Sequence, residues 1–201
     1  MFLCILTPIW VHIFRKRINV HIFRKRINNG TVTSLIIQNV KKVQIKMSYH
    51  INPLSPVLGA EVVGLDLNVP LSDAVFSEIE DAWHNANGVL VFRGQDLAPA
   101  AQIAFSKRLG DLEVHVATRY LLPEHPEIYR VSTKQDANGN AMGNPESGRY
   151  WHSDLSYLDP PAKASLLYAL EVPPMGGDTM FTNMAAAHDA LSEPLRTMLD
   201  G

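Results

Sequence analysis

The sequence predicts an α+β chain built on mainly antiparallel strand pairing, and three features carry that prediction. Helical periodicity is concentrated early and strand-like runs cluster later. The chain also lacks the glycine-rich phosphate loop and the dinucleotide fingerprint that mark nucleotide-binding α/β folds.

The elements follow in order. "GAEVVGLDL" (59–67) reads as a strand, with glycines where the backbone bends or is closely approached. "LSDAVFSEIEDAWHNANG" sets Val75, Phe76, Ile79, Ala82 and Trp83 on one helical stripe, behind a Ser/Asp start and before Gly88. "GVLVF" (88–92) is a short buried strand. "PAAQIAFSKRLG" has Pro99 at a helix start and Gly110 just past its end, the usual asymmetry. "EIYRVS" is a further strand, and "DANGN" (136–140) is turn chemistry. "ASLLYALEV" (164–172) predicts a long strand, followed by the "PPMGGD" turn and the short strand "TMF". "NMAAAHDAL" has helix character, with Asn183 as its cap.

At 201 residues the chain is long enough for one domain with a sizeable core. A hydrophobic content of 46% with 19% charged residues excludes a disordered or fibrous protein. The net charge of −2 conceals a division. Residues 1–46 hold nine Lys/Arg and no acid; residues 47–201 hold nine Lys/Arg against all 20 Asp/Glu, a net of −11. The two parts are therefore read separately: 1–46 as a basic, repeat-containing extension expected to lie outside the fold, 47–201 as the folded part.

Within the extension, "VHIFRKRIN" at 11–19 recurs unchanged at 20–28. Two nine-residue copies match no solenoid unit, which needs longer and more numerous repeats to bury a core. Arg15-Lys16-Arg17 and Arg24-Lys25-Arg26 could form nucleic-acid or anionic-membrane patches, or belong to an organelle-targeting leader. The favoured reading is a recent duplication or an over-extended gene with Met47 as the original start, so neither nucleic acid nor membrane is expected as a partner. Cys4 is the sole cysteine, which rules out an intramolecular disulfide and gives no sign of an oxidising compartment. The opening "MFLCILTPIW" is too short to span a bilayer, and its positive charge follows the apolar run instead of preceding it. A cytoplasmic protein is expected.

The chemistry centres on "GRYWHSDLSYLDPP" (148–161). In a β-strand, residues i and i+2 point to the same face about 7 Å apart. His152 and Asp154 could thus aim an imidazole nitrogen and a carboxylate oxygen at one ion, while Ser153 faces away. That pair is two-thirds of the facial triad that holds non-haem Fe(II) and keeps positions open. At ordinary residue frequencies His-x-Asp arises by chance in roughly a quarter of chains this long, so the motif alone is weak.

Its surroundings add specificity. "YWHSDLSY", then "PP", then "GGDTMFTNMAAAHDAL" resemble the iron- and 2-oxoglutarate-dependent dioxygenases of the taurine dioxygenase type, the TauD/TfdA-like family. The similarity begins at Met47, continues through "INPLSPVLGAEVVGLDL…PLSD", and runs to the end. It corresponds to about the first half of the family's domain. The resemblance implies a double-stranded β-helix, or jelly roll, with flanking helices, truncated before its second half. It implies Fe(II) held by His152 and Asp154, and 2-oxoglutarate as cosubstrate with its distal carboxylate on Thr179. A hydroxyl donor after the flexible Gly176-Gly177 can reach a carboxylate; taken without the family, Thr179 would be an ordinary strand threonine.

The same resemblance sets His115 against the anionic head of the substrate, and Leu155 and Tyr157 in the substrate pocket. It names no catalytic residue beyond the metal ligands. Thr118 stands where taurine dioxygenase has tyrosine and Gly148 where it has asparagine, so the reaction class is implied but taurine is not. The implied reaction uses O₂ to oxidise a C–H bond of a small organic acid, of the sulfonate or aryloxyalkanoate class, and releases succinate and CO₂. The family's second iron-binding histidine and its 2-oxoglutarate-binding arginine are expected beyond Gly201. The alternative is therefore a non-catalytic truncated remnant. Homo-oligomerisation is left open. His84 and His188 are expected on helices and His125 in a proline-flanked loop, all in surface or packing roles; Tyr150 and Trp151 could shield the metal from water, but packing in the core is the favoured expectation.

Overall fold

Ser72 shows how local signals become elements in this computed structural model. Its hydroxyl accepts from the Val75 amide at 3.3 Å and caps the helix over Asp73–Asn85. The structure describes residues 48–200, and the backbone alone of residues 2–6, 11–13 and 19–26. Arg15-Lys16-Arg17, Met47, Gly201 and the side chains of Cys4 and of Arg24-Lys25-Arg26 lie outside the described residues.

The strands are β1 (Phe2–Leu6), β2 (Val11–Ile13), β3 (Asn19–Arg26), β4 (His50–Pro53), β5 (Ala60–Val63), β6 (Val89–Arg93), β7 (Asp111–Glu113), β8 (Leu121–Leu122), β9 (His125–Val131), β10 (Ser165–Glu171) and β11 (Thr179–Phe181). Among the described residues the helices are α1 (Asp73–Asn85), α2 (Pro99–Leu109), α3 (Met184–Asp189) and α4 (Glu193–Asp200), with a 3-10 turn at Thr118–Tyr120. One sheet runs β4-β5-β6-β1-β10-β3-β9-β8, with β7 also paired to β3; β11 pairs with β2 separately. Among the described residues, every pairing between these strands is antiparallel except β5 with β6. That exception has a cause: α1 lies between these two strands in the chain, and a helical crossover is the usual way to bring strands parallel. The mixed, mainly antiparallel architecture is the one the sequence predicts.

Three short backbone stretches of the extension pair with other strands. The β1 backbone pairs with β6 on one side and β10 on the other, in register Phe2 opposite Arg93 and Ala169. β3 lies between β10 and β9. The β-branched and aromatic residues of "VHI" (11–13) and "NVHIFRKR" (19–26) favour strand whatever their net charge.

The core lies where α1 and α2 cover the sheet. α1 buries Phe76, Ile79 and Trp83, and α2 buries Ile103, Phe105 and Leu109, against Val62, Leu90, Phe92, Leu166 and Tyr168. Phe105 meets Phe76 and Phe92 edge-on, with ring centroids 5.6 and 6.0 Å apart. The α1 turn is closed by Trp83 Nε1, which donates to the Gly88 carbonyl at 2.9 Å. Gly110 ends α2 at φ 136°, a conformation that favours glycine. Two buried polar side chains tie the loop after β6 to its neighbours. Gln95 accepts from the Leu67 amide at 3.1 Å and donates to the Leu65 carbonyl at 2.8 Å. The Tyr168 hydroxyl accepts from the Leu97 amide at 2.9 Å and donates to the Gln95 carbonyl at 3.1 Å.

Asn183 caps α3 by accepting from the Ala186 amide, as expected. His84 and His188 sit on helices as expected, whereas His125 opens β9 and is not in a loop. Strands β4, β7 and β8 and helix α4 were not anticipated; β7 and β8 are only three and two residues long, too short to display a period. Among the described residues no helix is long and apolar enough to cross a membrane.

Candidate metal and substrate site

The segment before β10 folds back on itself at the His-x-Asp stretch. His152 and Asp154 do not share an extended strand, contrary to the spacing argument: residues 154–157 form a turn, and Leu155 adopts φ 49°. A left-handed leucine is unusual and costs about 1–2 kcal/mol. It reverses the chain directly behind the aspartate while its own side chain is buried. The two functional groups converge nonetheless, with His152 Nε2 3.3 Å from Asp154 Oδ1.

The histidine is oriented by its other nitrogen. His152 Nδ1 lies 2.7 Å from the Tyr150 carbonyl oxygen, which can only accept, so Nδ1 carries the hydrogen in the neutral ring. That leaves the Nε2 lone pair toward Asp154, the tautomer a metal-binding histidine needs. The Asp154 side chain is 12% exposed, and its Oδ2 accepts a hydrogen bond from Ser165 Oγ at 2.7 Å.

His115, His152, Asp154, Leu155 and Tyr157 all line one open cavity of about 420 Å³. His115 follows β7; its Nδ1 accepts from the Ala117 amide at 2.9 Å, and its ring lies on Tyr129 with centroids 4.2 Å apart. Thr179 opens β11, which pairs with β2, and is not among the residues lining this cavity. Gly148 lines it, with φ 74°; Thr118 starts the 3-10 turn and does not.

Sequence reasoning missed three members of this neighbourhood. Arg149 and Glu146 line the cavity and form an ion pair with each other, and Ser165 reaches Asp154 from β10. A polar residue in the otherwise apolar run "ASLLYAL" was the available signal for Ser165. Tyr150 and Trp151 correct the packing expectation: they are 78% and 41% exposed, because the chain around them is loop and turn instead of core. His188 belongs to another local cluster, 3.2 Å from Asp200 on α4. A larger groove of about 660 Å³ between the β4–β5 turn and α1 is lined by Ile51, Ser55, Glu78, Asp81 and Asn85, and holds none of these groups.

An imidazole nitrogen and a carboxylate oxygen converging on an open cavity are the donor types of the mononuclear non-haem iron enzymes. They are two donors; among the described residues no group of three or more His, Cys, Asp or Glu could hold a metal ion. The family model for the taurine catabolism dioxygenase TauD, TfdA family matches residues 50–201, and the chain belongs to that family. It is 40% identical over 166 residues to the alpha-ketoglutarate-dependent 2,4-dichlorophenoxyacetate dioxygenase of Cupriavidus pinatubonensis, covering 77% of this chain and 57% of that protein. It is 34% identical over 153 residues to the (S)-phenoxypropionate/alpha-ketoglutarate-dioxygenase of Sphingobium herbicidovorans, covering 76% of this chain and 51% of that one. A crystal structure from Burkholderia xenovorans, assigned as an alpha-ketoglutarate-dependent taurine dioxygenase, superposes with a TM-score of 0.58 at 32% identity, covering 77% of this chain and 52% of that one. The chain thus spans about half the length of these relatives.

Proposed function

We propose that this chain supplies the His-x-Asp half of the iron site in an Fe(II)- and 2-oxoglutarate-dependent dioxygenase. The substrate would be a small organic acid of the aryloxyalkanoate or sulfonate class, oxidised at a C–H bond with release of succinate and CO₂. The observation that carries the reading is the 3.3 Å approach of His152 Nε2 to Asp154 Oδ1, on a cavity that also holds His115 and Arg149. Family membership gives that approach its meaning. When bound, the iron and its keto-acid cosubstrate supply the oxygen chemistry; the protein supplies binding, orientation and exclusion of water.

The roles of the chain's own residues follow. His152, its tautomer set by the Tyr150 carbonyl, offers a neutral nitrogen donor, and Asp154 offers an anionic oxygen. His115, held through Nδ1 by the Ala117 amide, carries its hydrogen on Nε2 and can donate it to an anionic head group. Leu155 and Tyr157 give the cavity apolar surface for the rest of the substrate. Thr179 would donate its hydroxyl to the distal carboxylate of 2-oxoglutarate, a role that rests on the family resemblance. The complete domain would be a jelly roll, of which residues 47–201 form the N-terminal part.

Two measurements test this. Titration of the chain with Co(II), a spectroscopic stand-in for Fe(II), should show binding that is lost in His152→Ala and in Asp154→Ala; undiminished binding in both variants refutes the site. For the reaction, the chain within a domain of its relatives' length should release succinate from 2-oxoglutarate in an Fe(II)-dependent way. Absence of any iron-dependent turnover across a panel of aryloxyalkanoates and sulfonates refutes the function.

A further inference from the structure

We infer that Ser165 is a positioning residue for the metal-binding carboxylate, fixing Asp154 so that it presents one oxygen. The inference rests on the His152–Asp154 metal reading above. Ser165 is the first residue of β10 and is 5% exposed. The strand that follows is apolar and buried at Leu166, Leu167, Tyr168 and Ala169, and so are Ala162 and Ala164 before it. A hydroxyl in such surroundings requires a partner. Its partner is Asp154 Oδ2, at 2.7 Å. An ionised carboxylate can only accept, so the serine donates, and the length is that of a charge-assisted O–H···O bond.

The consequence lies in the two oxygens of one carboxylate. Oδ2 is engaged by a residue on the sheet, while Oδ1 lies 3.3 Å from His152 Nε2. Rotation about the Asp154 Cβ–Cγ bond would break the serine hydrogen bond, so the side chain is held with Oδ1 toward the histidine. A carboxylate that offers a single oxygen occupies one coordination position, and a dioxygen-using iron site depends on positions left open. The tie also crosses between structural classes. Asp154 sits in a turn behind a left-handed leucine, where the backbone alone specifies its direction poorly; β10 is paired on both sides. Ser165 thereby lends the turn the rigidity of the sheet, as outer partners of metal ligands commonly do.

The test uses the 201-residue chain, with Co(II) as the probe and three proteins: the parent, Ser165→Ala and Ser165→Thr. Calorimetric titration and the visible Co(II) spectrum read the site, and thermal melting reads the fold. Ser165→Ala should weaken Co(II) binding by about 10- to 100-fold, the usual effect of removing an outer partner, and alter the Co(II) band shape with little change in melting. Ser165→Thr, which keeps the hydroxyl, should restore affinity to within about threefold of the parent on the same scale. Parent-like or tighter binding by Ser165→Ala overturns the inference, and so does a loss that Ser165→Thr does not restore. Failure of the parent to bind Co(II) at all overturns both this inference and the metal reading, which separates the two failures.

Discussion

Replacing Tyr168 with phenylalanine removes one oxygen from the centre of the fold, and the structure says what that costs. The Tyr168 side chain is 1% exposed on β10, and its hydroxyl serves two backbone groups of the loop after β6. It accepts from the Leu97 amide at 2.9 Å and donates to the Gln95 carbonyl at 3.1 Å. Phenylalanine keeps the ring and its packing, so the transfer and cavity contributions are small. The loss comes from two buried backbone groups left without a partner, at about 1–3 kcal/mol for each. Partial relaxation of the loop brings the expected total to about 2–4 kcal/mol. For a domain of this size that lowers the melting temperature by roughly 5–15 °C. Urea unfolding followed by far-ultraviolet circular dichroism reads the change, with Tyr157→Phe as the control, since Tyr157 is 74% exposed. A loss for Tyr168→Phe no greater than the control's would refute the claim that this hydroxyl anchors the loop.

Two further predictions concern helix α1 and its surroundings. The Tyr49 hydroxyl donates to the Glu78 carboxylate and is pushed up to about 12, first by burial and then by the hydrogen bond and charge of Glu78. A raised phenol favours the protonated fold. The stabilisation is therefore complete below the ordinary value of 10.0 and is lost as pH rises through about 12. Denaturant midpoints at pH 9 and 11 should fall more for the parent than for Tyr49→Phe; parallel falls would show the linkage to be absent. Ser72→Ala should cost about 1 kcal/mol by removing the α1 cap, and Ser72→Gly only a few tenths. Equal stability of all three proteins in urea would contradict the capping role.

Much of the frame was legible because it is written locally. The α1 stripe, its serine cap, the Pro99 start of α2, the Gly110 stop and the Asn183 cap all depend on residues within a turn or two of each other. Strands β6, β9, β10 and β11 announced themselves by β-branched and apolar runs. The site was legible as a motif and not as a geometry. "YWHSDLSY" singled out His152 and Asp154, whose side chains lie 3.3 Å apart, but a strand was the wrong backbone for them, since nothing in a leucine signals a positive φ. His125 was misplaced because its flanking prolines suggested loop, yet a proline is tolerated in the opening pair of β9.

The sequence by itself determined helices α1, α2 and α3, strands β5, β6, β9, β10 and β11, and the family, because each is encoded in short windows of residue type. Tertiary structure alone decided three things: that the β1 and β3 backbone joins the main sheet, that Arg149 and Glu146 face the same cavity as His115, and that Ser165 holds Asp154. The physical reason is distance along the chain. Strand pairing, cavity lining and a hydrogen bond between residues 11 apart depend on where separate segments are brought together, and no local pattern of side chains records that.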